Sequence, residues 1–253
     1  MNAVGSVLLF DPWFYAVAIP GVVLLGISKS GFGTGFGSLV VPMMALVIPV
    51  PQAAAILMPV LLALDLMGIW AYRRDWDRRL FWFLLPWSAV GILMGYLLFR
   101  LLDPKWVAGM VGAMTLVFLG LRFLSRHQPQ TRPSNGFGRL MATLSGFTSF
   151  VSHSGGPPLN MYVLRLGMSP VPFAATMSFL FFCINLFKWI PYGLLGLFDW
   201  GNLTLSLVLL PVSPLGVWLG VRWARRIDPI WFYRLVYAGM LFTGLKLLSD
   251  AFT

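Results

Sequence analysis

A lysine stands among small residues inside an apolar stretch, at residues 26–37. A buried lysine costs about 2.5 to 3.5 kcal/mol on membrane-insertion scales, so it usually faces a cavity and a partner. Glycines let the backbone leave helical geometry, and a helix that begins after them directs free amide groups into the gap, which together with the lysine predicts an anion site. Alternatively, the glycines only permit close helix packing and the lysine extends to the cytoplasmic surface. The residues assigned to this site are Ser28, Lys29, Ser30, Gly31 and Gly33.

A second interruption, at residues 152–160, reads Ser-His-Ser-Gly-Gly-Pro-Pro-Leu-Asn. The two prolines remove two backbone donors, so the chain must leave and re-enter helix there. Hydroxyl, imidazole and amide groups then lie beside the gap, and His153 can bind an anion or carry a proton near neutral pH. The alternative is that His153 is a satisfied structural group. The residues assigned to this site are Ser152, His153, Ser154, Gly155, Gly156 and Asn160.

A third basic group, Lys188, follows Asn185 by three residues in a later apolar segment, so both share a helix face. The carboxylate that lies well inside an apolar segment is Asp65. Two interpretations stay open: either Asp65 neutralises a buried lysine, with a structural or proton-coupling role, or Lys188 binds an anionic solute. Three bases (Lys29, His153 and Lys188) against one acid favour an anionic solute. His153 and Asp65 are the candidates for proton coupling.

Residues for enzyme chemistry are scarce. The chain has no glutamate, one cysteine and two histidines, which leaves little for a metal site or a pair of catalytic carboxylates. Cys183 has apolar neighbours and is expected to be a small buried side chain. The glycine-rich stretch lacks the Gly-Lys-Ser/Thr order of a phosphate-binding loop. We therefore expect a protein that is not an enzyme, with no catalytic residues, no metal and no cofactor.

The elements that carry these residues are apolar segments. Of the 253 residues, 58% are hydrophobic and 10% are charged, which is more apolar surface than a soluble domain of this length can bury. Several runs approach the roughly 20 residues that cross hydrocarbon. The net charge of +10 comes from short basic loops, which orient a membrane protein and do not indicate nucleic-acid binding. We expect one membrane domain whose first apolar run, lacking a cleavage site, is retained.

The segments form two copies of one unit. Ten residues between Leu84 and Trp106 recur at an offset of 125, and Ser-Lys-Ser-Gly at residues 28–31 returns as Ser-His-Ser-Gly at 152–155. The first repeat is predicted at residues 13–124, the linker at 125–137 and the second repeat at 138–249. Each repeat has a segment, a break, a short segment and three long spans. They are predicted at 13–28, 36–49, 52–72, 80–99 and 105–124, and at 138–151, 157–168, 171–196, 202–222 and 229–249.

The distribution of basic residues predicts how the two copies are oriented in the membrane. If the broken pair in each unit forms a hairpin, re-entrant or fully crossing, twelve arginines collect on one side and Arg100, Lys105 and Lys246 are left on the other. Units with an odd number of crossings must be inverted when they follow in series. The predicted fold class is an all-α polytopic membrane protein of two inverted repeats, each a broken or re-entrant helix pair plus three long transmembrane helices. We expect a bacterial inner membrane, periplasmic termini, and Tyr72 in an interfacial aromatic belt.

Both breaks resemble those of the TauE/SafE sulfite exporter family of membrane permeases. The resemblance rests on Ser-Lys-Ser-Gly-Phe-Gly-Thr-Gly-Phe-Gly at residues 28–37, running into Leu-Val-Val-Pro at 39–42, and on the residues at 152–160. It extends over essentially the whole chain through the duplicated pattern. It implies transport of small sulfur-containing anions, such as sulfite, thiosulfate or organosulfonates, without ATP hydrolysis by the chain.

The expected function is export of a small anionic solute by alternating access at the repeat interface. The expected partners are that solute and membrane lipid, with no nucleic acid. A passive anion channel has the same charge pattern, but its flux cannot be driven uphill. A membrane enzyme or assembly factor of the cell envelope predicts a nucleophile or carboxylate pair at the membrane surface, whereas the polar groups here converge on the two breaks.

Overall fold

The structure is a computed structural model that describes residues 10–32, 40–44, 47–48, 50–98, 101, 103–124, 132–152, 154–194 and 200–251. Within these residues the chain is helical and has no strand. The α-helices are α1 Pro12–Phe32, α2 Val40–Met44, α3 Val50–Ala71, α4 Arg78–Leu98, α5 Pro104–Leu124, α6 Asn135–Ser152, α7 Gly156–Val163, α8 Pro170–Leu194, α9 Trp200–Leu209, α10 Ser213–Ala224 and α11 Pro229–Asp250. Turns of 3-10 helix follow α7 and α9, at Leu164–Leu166 and Leu210–Val212.

Several of these helices are built to cross a membrane. In the described part of the chain, four stretches are long and apolar enough to do so, at Pro12–Phe32, Arg78–Leu98, Pro170–Pro191 and Gly201–Ala224. Large apolar side chains such as Trp13, Trp82 and Leu97 face outward, while three charged side chains (Lys29, Asp65 and Lys188) and several amide and hydroxyl groups are buried. Lipid favours this arrangement, because it solvates apolar surface and leaves polar groups to find partners inside the protein. The predicted class, an all-helical polytopic membrane protein, is confirmed.

The duplicated glycines bring the first helix of each predicted unit against the fourth helix of the other. A Cβ on Gly216 in α10 would lie 2.7 Å from the carbonyl oxygen of Val23 in α1, and one on Gly26 would lie 2.8 Å from the Cα of Gly216. Gly91, the counterpart of Gly216 in α4, meets the backbone of Thr143 in α6 in the same way. Small residues therefore let these backbones touch, as they do in many membrane helix pairs.

Gly216→Ala is expected to destabilise the protein by about 1–3 kcal/mol, because the added methyl group would overlap backbone atoms that cannot rotate away. Gly120→Ala is the matched control. Nothing lies within 4 Å of a Cβ at Gly120 in α5, so the substitution is expected to be neutral or stabilising. Thermal unfolding of both variants in detergent measures the difference. Equal melting temperatures would contradict the close packing of α1 and α10.

Throughout the fold, helices of one predicted unit pack against helices of the other. The first helices pack on the other unit's fourth helix, α1 on α10 and α6 on α4. The third helices, α3 and α8, pack on each other, and so do the last helices, α5 and α11. A two-fold relation between the units produces this pattern, because each contact recurs with the units exchanged. The repeat boundaries and their inversion stay predictions, which the pattern supports.

The predicted end of the first segment at residue 28 is wrong. Helix α1 continues to Phe32, so Lys29 lies inside a helix and not in a break. Unpaired backbone groups are costly in a membrane, and this cost outweighs the low helix propensity of Gly26 and Gly31. The two glycines instead contact Gly216 and Gly220 of α10. One part of the alternative interpretation, glycines that permit close packing, is therefore correct.

The predicted span at residues 202–222 is interrupted. A 3-10 turn at Leu210–Val212 separates α9 from α10. Pro211 and Pro214 remove two backbone donors within one turn, which an α-helix cannot absorb. The corresponding helix of the first unit, α4, contains Pro86 but has alanine at position 89, and it is continuous.

Candidate functional site

A buried ion pair lies where α1 meets α3. The Nζ atom of Lys29 is 2.5 Å from Oδ1 of Asp65, and the two side chains are only 5% and 1% exposed. Asn185 of α8 donates from Nδ2 to the other carboxylate oxygen of Asp65 at 2.6 Å. Both oxygens of the carboxylate are therefore engaged, as a buried charge requires. We call the group formed by Lys29, Asp65, Asn185 and Lys188 the charged centre.

Lys188 completes the charged centre without a carboxylate of its own. Its side chain is 1% exposed. Its Nζ atom donates to the hydroxyl of Ser149 in α6 at 3.1 Å and to the carbonyl oxygen of the same residue at 3.2 Å. Lys188 lies within electrostatic range of both Lys29 and Asp65, but among the described residues no carboxylate is within 4.0 Å of its amine. An ammonium group has three donors, so one N–H of Lys188 has no acceptor in the described part of the site.

The second break lies beside Ser149. Helix α6 ends at Ser152 and α7 begins at Gly156, as the prolines predict. A Cβ on Gly155 would lie 2.7 Å from the Cβ of Ser149, so the start of α7 is next to the residue that Lys188 contacts. Because Pro157 and Pro158 have no N–H, Gly156 supplies the free amide in the first three positions of α7.

Hydroxyl groups of α6 hold the backbone of the second break in place. Ser145 donates from Oγ to the carbonyl oxygen of Gly155 at 2.7 Å. The amide of Ser154 donates to the carbonyl oxygen of Thr148 at 3.2 Å, and the Thr148 hydroxyl donates to the carbonyl oxygen of Ser154 at 3.2 Å. These bonds satisfy backbone groups that a helix would otherwise pair, so the break is stable inside the protein.

The residues predicted at the two breaks fall into four groups. Ser28, Lys29, Ser30 and Gly31 are buried in the last turns of α1. Ser154, Gly155 and Gly156 are buried at the start of α7, and the backbone of Ser152 ends α6. His153 and Gly33 lie outside the described residues. Asn160 is fully buried in α7 and both polar atoms of its amide lack a partner in the described structure, but no hydrogen bond there connects it to the charged centre.

The open interpretations of Lys29, Lys188 and Asp65 are resolved in part. Lys29 does not extend to the surface, because it is buried and paired with Asp65. Asp65 does neutralise a buried lysine, but that lysine is Lys29 and not Lys188. The amine of Lys188 therefore has no carboxylate within ion-pair distance in the described structure. Which of these groups contacts a solute stays a prediction.

Tyr72 is not in an interfacial belt, and that prediction is wrong. Its side chain is fully buried, and its hydroxyl donates to the carbonyl oxygen of Ser30 at 2.5 Å. The guanidinium of Arg225 lies 5.9 Å from the Tyr72 ring centre and donates to the carbonyl oxygen of Ala71 at 3.0 Å. The last carbonyl groups of a helix lack intrahelical donors, and Tyr72 supplies one to α1. The ends of α1, α3 and α10 are thus joined beside Lys29.

The residue that sequence reasoning missed at the charged centre is Ser149. A signal for it exists, because Ser145, Ser149 and Ser152 recur at helical spacing in an otherwise apolar segment. Hydroxyl groups on one face of a membrane helix indicate a polar interior. That spacing predicts that α6 faces the site, although it does not identify Lys188 as the partner.

The fold is that of a multi-pass membrane protein whose helices enclose a charged centre. Residues 18–247 match the family model of the sulfite exporter TauE/SafE. The chain therefore belongs to the TauE/SafE sulfite exporter family of membrane transporters, and the resemblance seen at the two breaks is confirmed. Membership implies a small anionic solute. No curated protein and no solved structure matches the chain.

Proposed function

We propose that this transporter exports small sulfur-containing anions, of the sulfite, thiosulfate or organosulfonate class, across the inner membrane by alternating access. The observation that carries the proposal is Lys188, a fully buried ammonium group with one unused donor and no carboxylate against it in the described structure. A buried charge of this kind is costly to a membrane protein and usually marks a solute pathway. An oxyanion supplies both the missing acceptor and the missing negative charge.

The binding site of the proposal lies between Lys188 and the start of α7. Lys188 donates to one oxygen of the anion, and the free amide of Gly156 and the positive end of α7 attract another. The hydroxyl of Ser30 is also available, because it is buried and has no partner among the described residues. These groups replace part of the hydration that the anion loses. We assign the buried Ser28 and Ser154 to the rest of the proposed site, and Ser152 and His153 stay sequence predictions for it.

Alternating access needs two bodies that move against each other, and the predicted repeats supply them. The contacts between repeats run along smooth glycine surfaces at α1–α10 and α4–α6, which lack interlocking side chains at Gly26 and Gly216. Surfaces of this kind favour sliding or rocking of packed helices. The predicted topology, with both termini in the periplasm, places the basic loops in the cytoplasm. Export of an anion from a negative interior is then favourable by about 2.3 kcal/mol per charge per 100 mV.

Proton coupling is the second element of the proposal, with Asp65 and His153 as the carriers. A proton on Asp65 would end its ion pair with Lys29 and free the lysine for an anion, which links proton uptake to solute binding. The link is electrostatic and requires no further cofactor.

Counterflow in proteoliposomes tests the function. Vesicles loaded with unlabelled sulfite, thiosulfate or methanesulfonate are diluted into a trace of the labelled anion. We expect the label to accumulate transiently above its outside concentration for at least one of these anions, because a carrier exchanges one bound solute for another. Protein-free vesicles are the control. Label that only equilibrates, without accumulation, would indicate the passive channel, and the absence of any anion flux would contradict transport of this solute class.

A further inference from the structure

The net charge of the charged centre decides which anions it can neutralise. Lys29 and Asp65 form an ion pair at 2.5 Å, so before any proton uptake by Asp65 they together contribute zero, whichever of them holds the shared proton. Asn185 is neutral and is used by Asp65. When the amine of Lys188 is protonated, as it is opposite a bound anion, the described centre has a net charge of one positive unit, enclosed by side chains that are no more than 5% exposed.

A low-dielectric site of fixed charge selects the charge of its ligand as well as its shape. The Born cost of removing an ion from water grows with the square of its charge, so a dianion loses about four times the hydration energy of a monoanion of equal size. One ammonium group can neutralise a monoanion completely but leaves a dianion with one uncompensated negative charge. Burying that remaining charge is strongly unfavourable.

Resting on the proposed function, we propose that the solute binds as a monoanion: a sulfonate with a single negative charge or the singly protonated form of sulfite. With the Lys29–Asp65 pair intact, a dianion such as sulfate or thiosulfate is excluded by charge, although it has the same tetrahedral geometry. The inference narrows the solute class, because it predicts which sulfur oxyanions the site rejects.

Three tetrahedral sulfur compounds of similar size test the charge directly. Dimethyl sulfone is neutral, methanesulfonate carries one negative charge and sulfate carries two, and each step replaces a methyl group by an oxygen. Binding to the purified protein is measured by thermal shift and by competition with labelled methanesulfonate in counterflow. At about pH 7.5 these charges are fixed and a histidine with its ordinary pKa of about 6.5 is mostly neutral. We expect methanesulfonate to bind about tenfold or more tightly than either of the other compounds.

The outcomes separate this inference from the proposed function. Sulfate that binds as tightly as methanesulfonate would overturn the inference and leave anion transport intact. Failure of every sulfur anion to bind or move would overturn both. Equal binding of dimethyl sulfone and methanesulfonate would show that shape and not charge is recognised, which also overturns the inference.

Two substitutions change the net charge of the centre in opposite directions and are expected to change its anion preference accordingly. Lys188→Met lowers the charge of the centre to zero and is expected to remove the preference for methanesulfonate over dimethyl sulfone. Asp65→Asn raises the charge by one and is expected to improve sulfate binding relative to methanesulfonate. If Asp65→Asn does not fold, Lys188→Met and the wild-type series still decide the question. A Lys188→Met protein that keeps the full preference would contradict the role of this charge.

Discussion

Lys188→Met is expected to weaken anion binding by about tenfold to a hundredfold and to abolish transport at low solute concentration. A hydrogen bond to a charged group contributes about 1.5–3 kcal/mol, and each 1.4 kcal/mol is a factor of about ten in affinity. Methionine has nearly the length of lysine and carries no charge, so α8 keeps its packing. Removing a buried charge that has no carboxylate beside it is not expected to destabilise the fold.

Initial rates of methanesulfonate and sulfite flux in proteoliposomes, measured over a range of concentrations, check this prediction. The matched control is Lys105→Met, which removes the same charge from an exposed position at the start of α5. Lys105→Met is expected to keep wild-type affinity. A folded Lys188→Met protein with an unchanged concentration dependence would mean that the anion is bound elsewhere, and the proposed site between Lys188 and α7 would then be wrong.

The parts of the fold that sequence predicted well are those decided by local chemistry. Long apolar runs predict membrane spans because the lipid interior solvates apolar side chains and excludes polar ones. The pair Pro157–Pro158 predicts the second break because proline has no backbone N–H to donate to a helical hydrogen bond. Glycine is less informative, because it permits a break without requiring one. Helix α1 continues through Gly26 and Gly31, which pack against Gly216 and Gly220. These partners are more than 180 residues away in the sequence, so no local sequence pattern predicts the contact.

The charged centre could be predicted as a set of residues but not as a set of pairs. The free energy needed to bury a charged side chain makes Lys29, Asp65 and Lys188 recognisable within apolar segments of the sequence. Which lysine meets Asp65 depends on how α1, α3 and α8 cross, and that is set by tertiary packing. The same holds for Tyr72, whose position at the end of a span suits an interface until α1 and α10 bury it.

Asp65→Asn is expected to cost about 3–5 kcal/mol of stability, because it leaves the buried charge of Lys29 without its partner. Asp75→Asn is the matched control. Asp75 pairs with Arg225 at 3.4 Å, but these side chains are 36% and 51% exposed, so water and salt screen the pair and the expected loss is below about 1 kcal/mol. Unfolding of both variants in detergent by heat or denaturant gives the comparison.

Combining Asp65→Asn with Lys29→Met is expected to restore most of the lost stability, because the buried charge that lacked a partner is gone. The same double variant separates a structural ion pair from a coupling device. It keeps Lys188, so counterflow of methanesulfonate should continue if the pair only neutralises itself. If Asp65 carries the coupled proton, counterflow should continue while accumulation driven by a proton gradient is lost. Loss of counterflow in a double variant of wild-type stability would instead place Lys29 or Asp65 in direct contact with the anion.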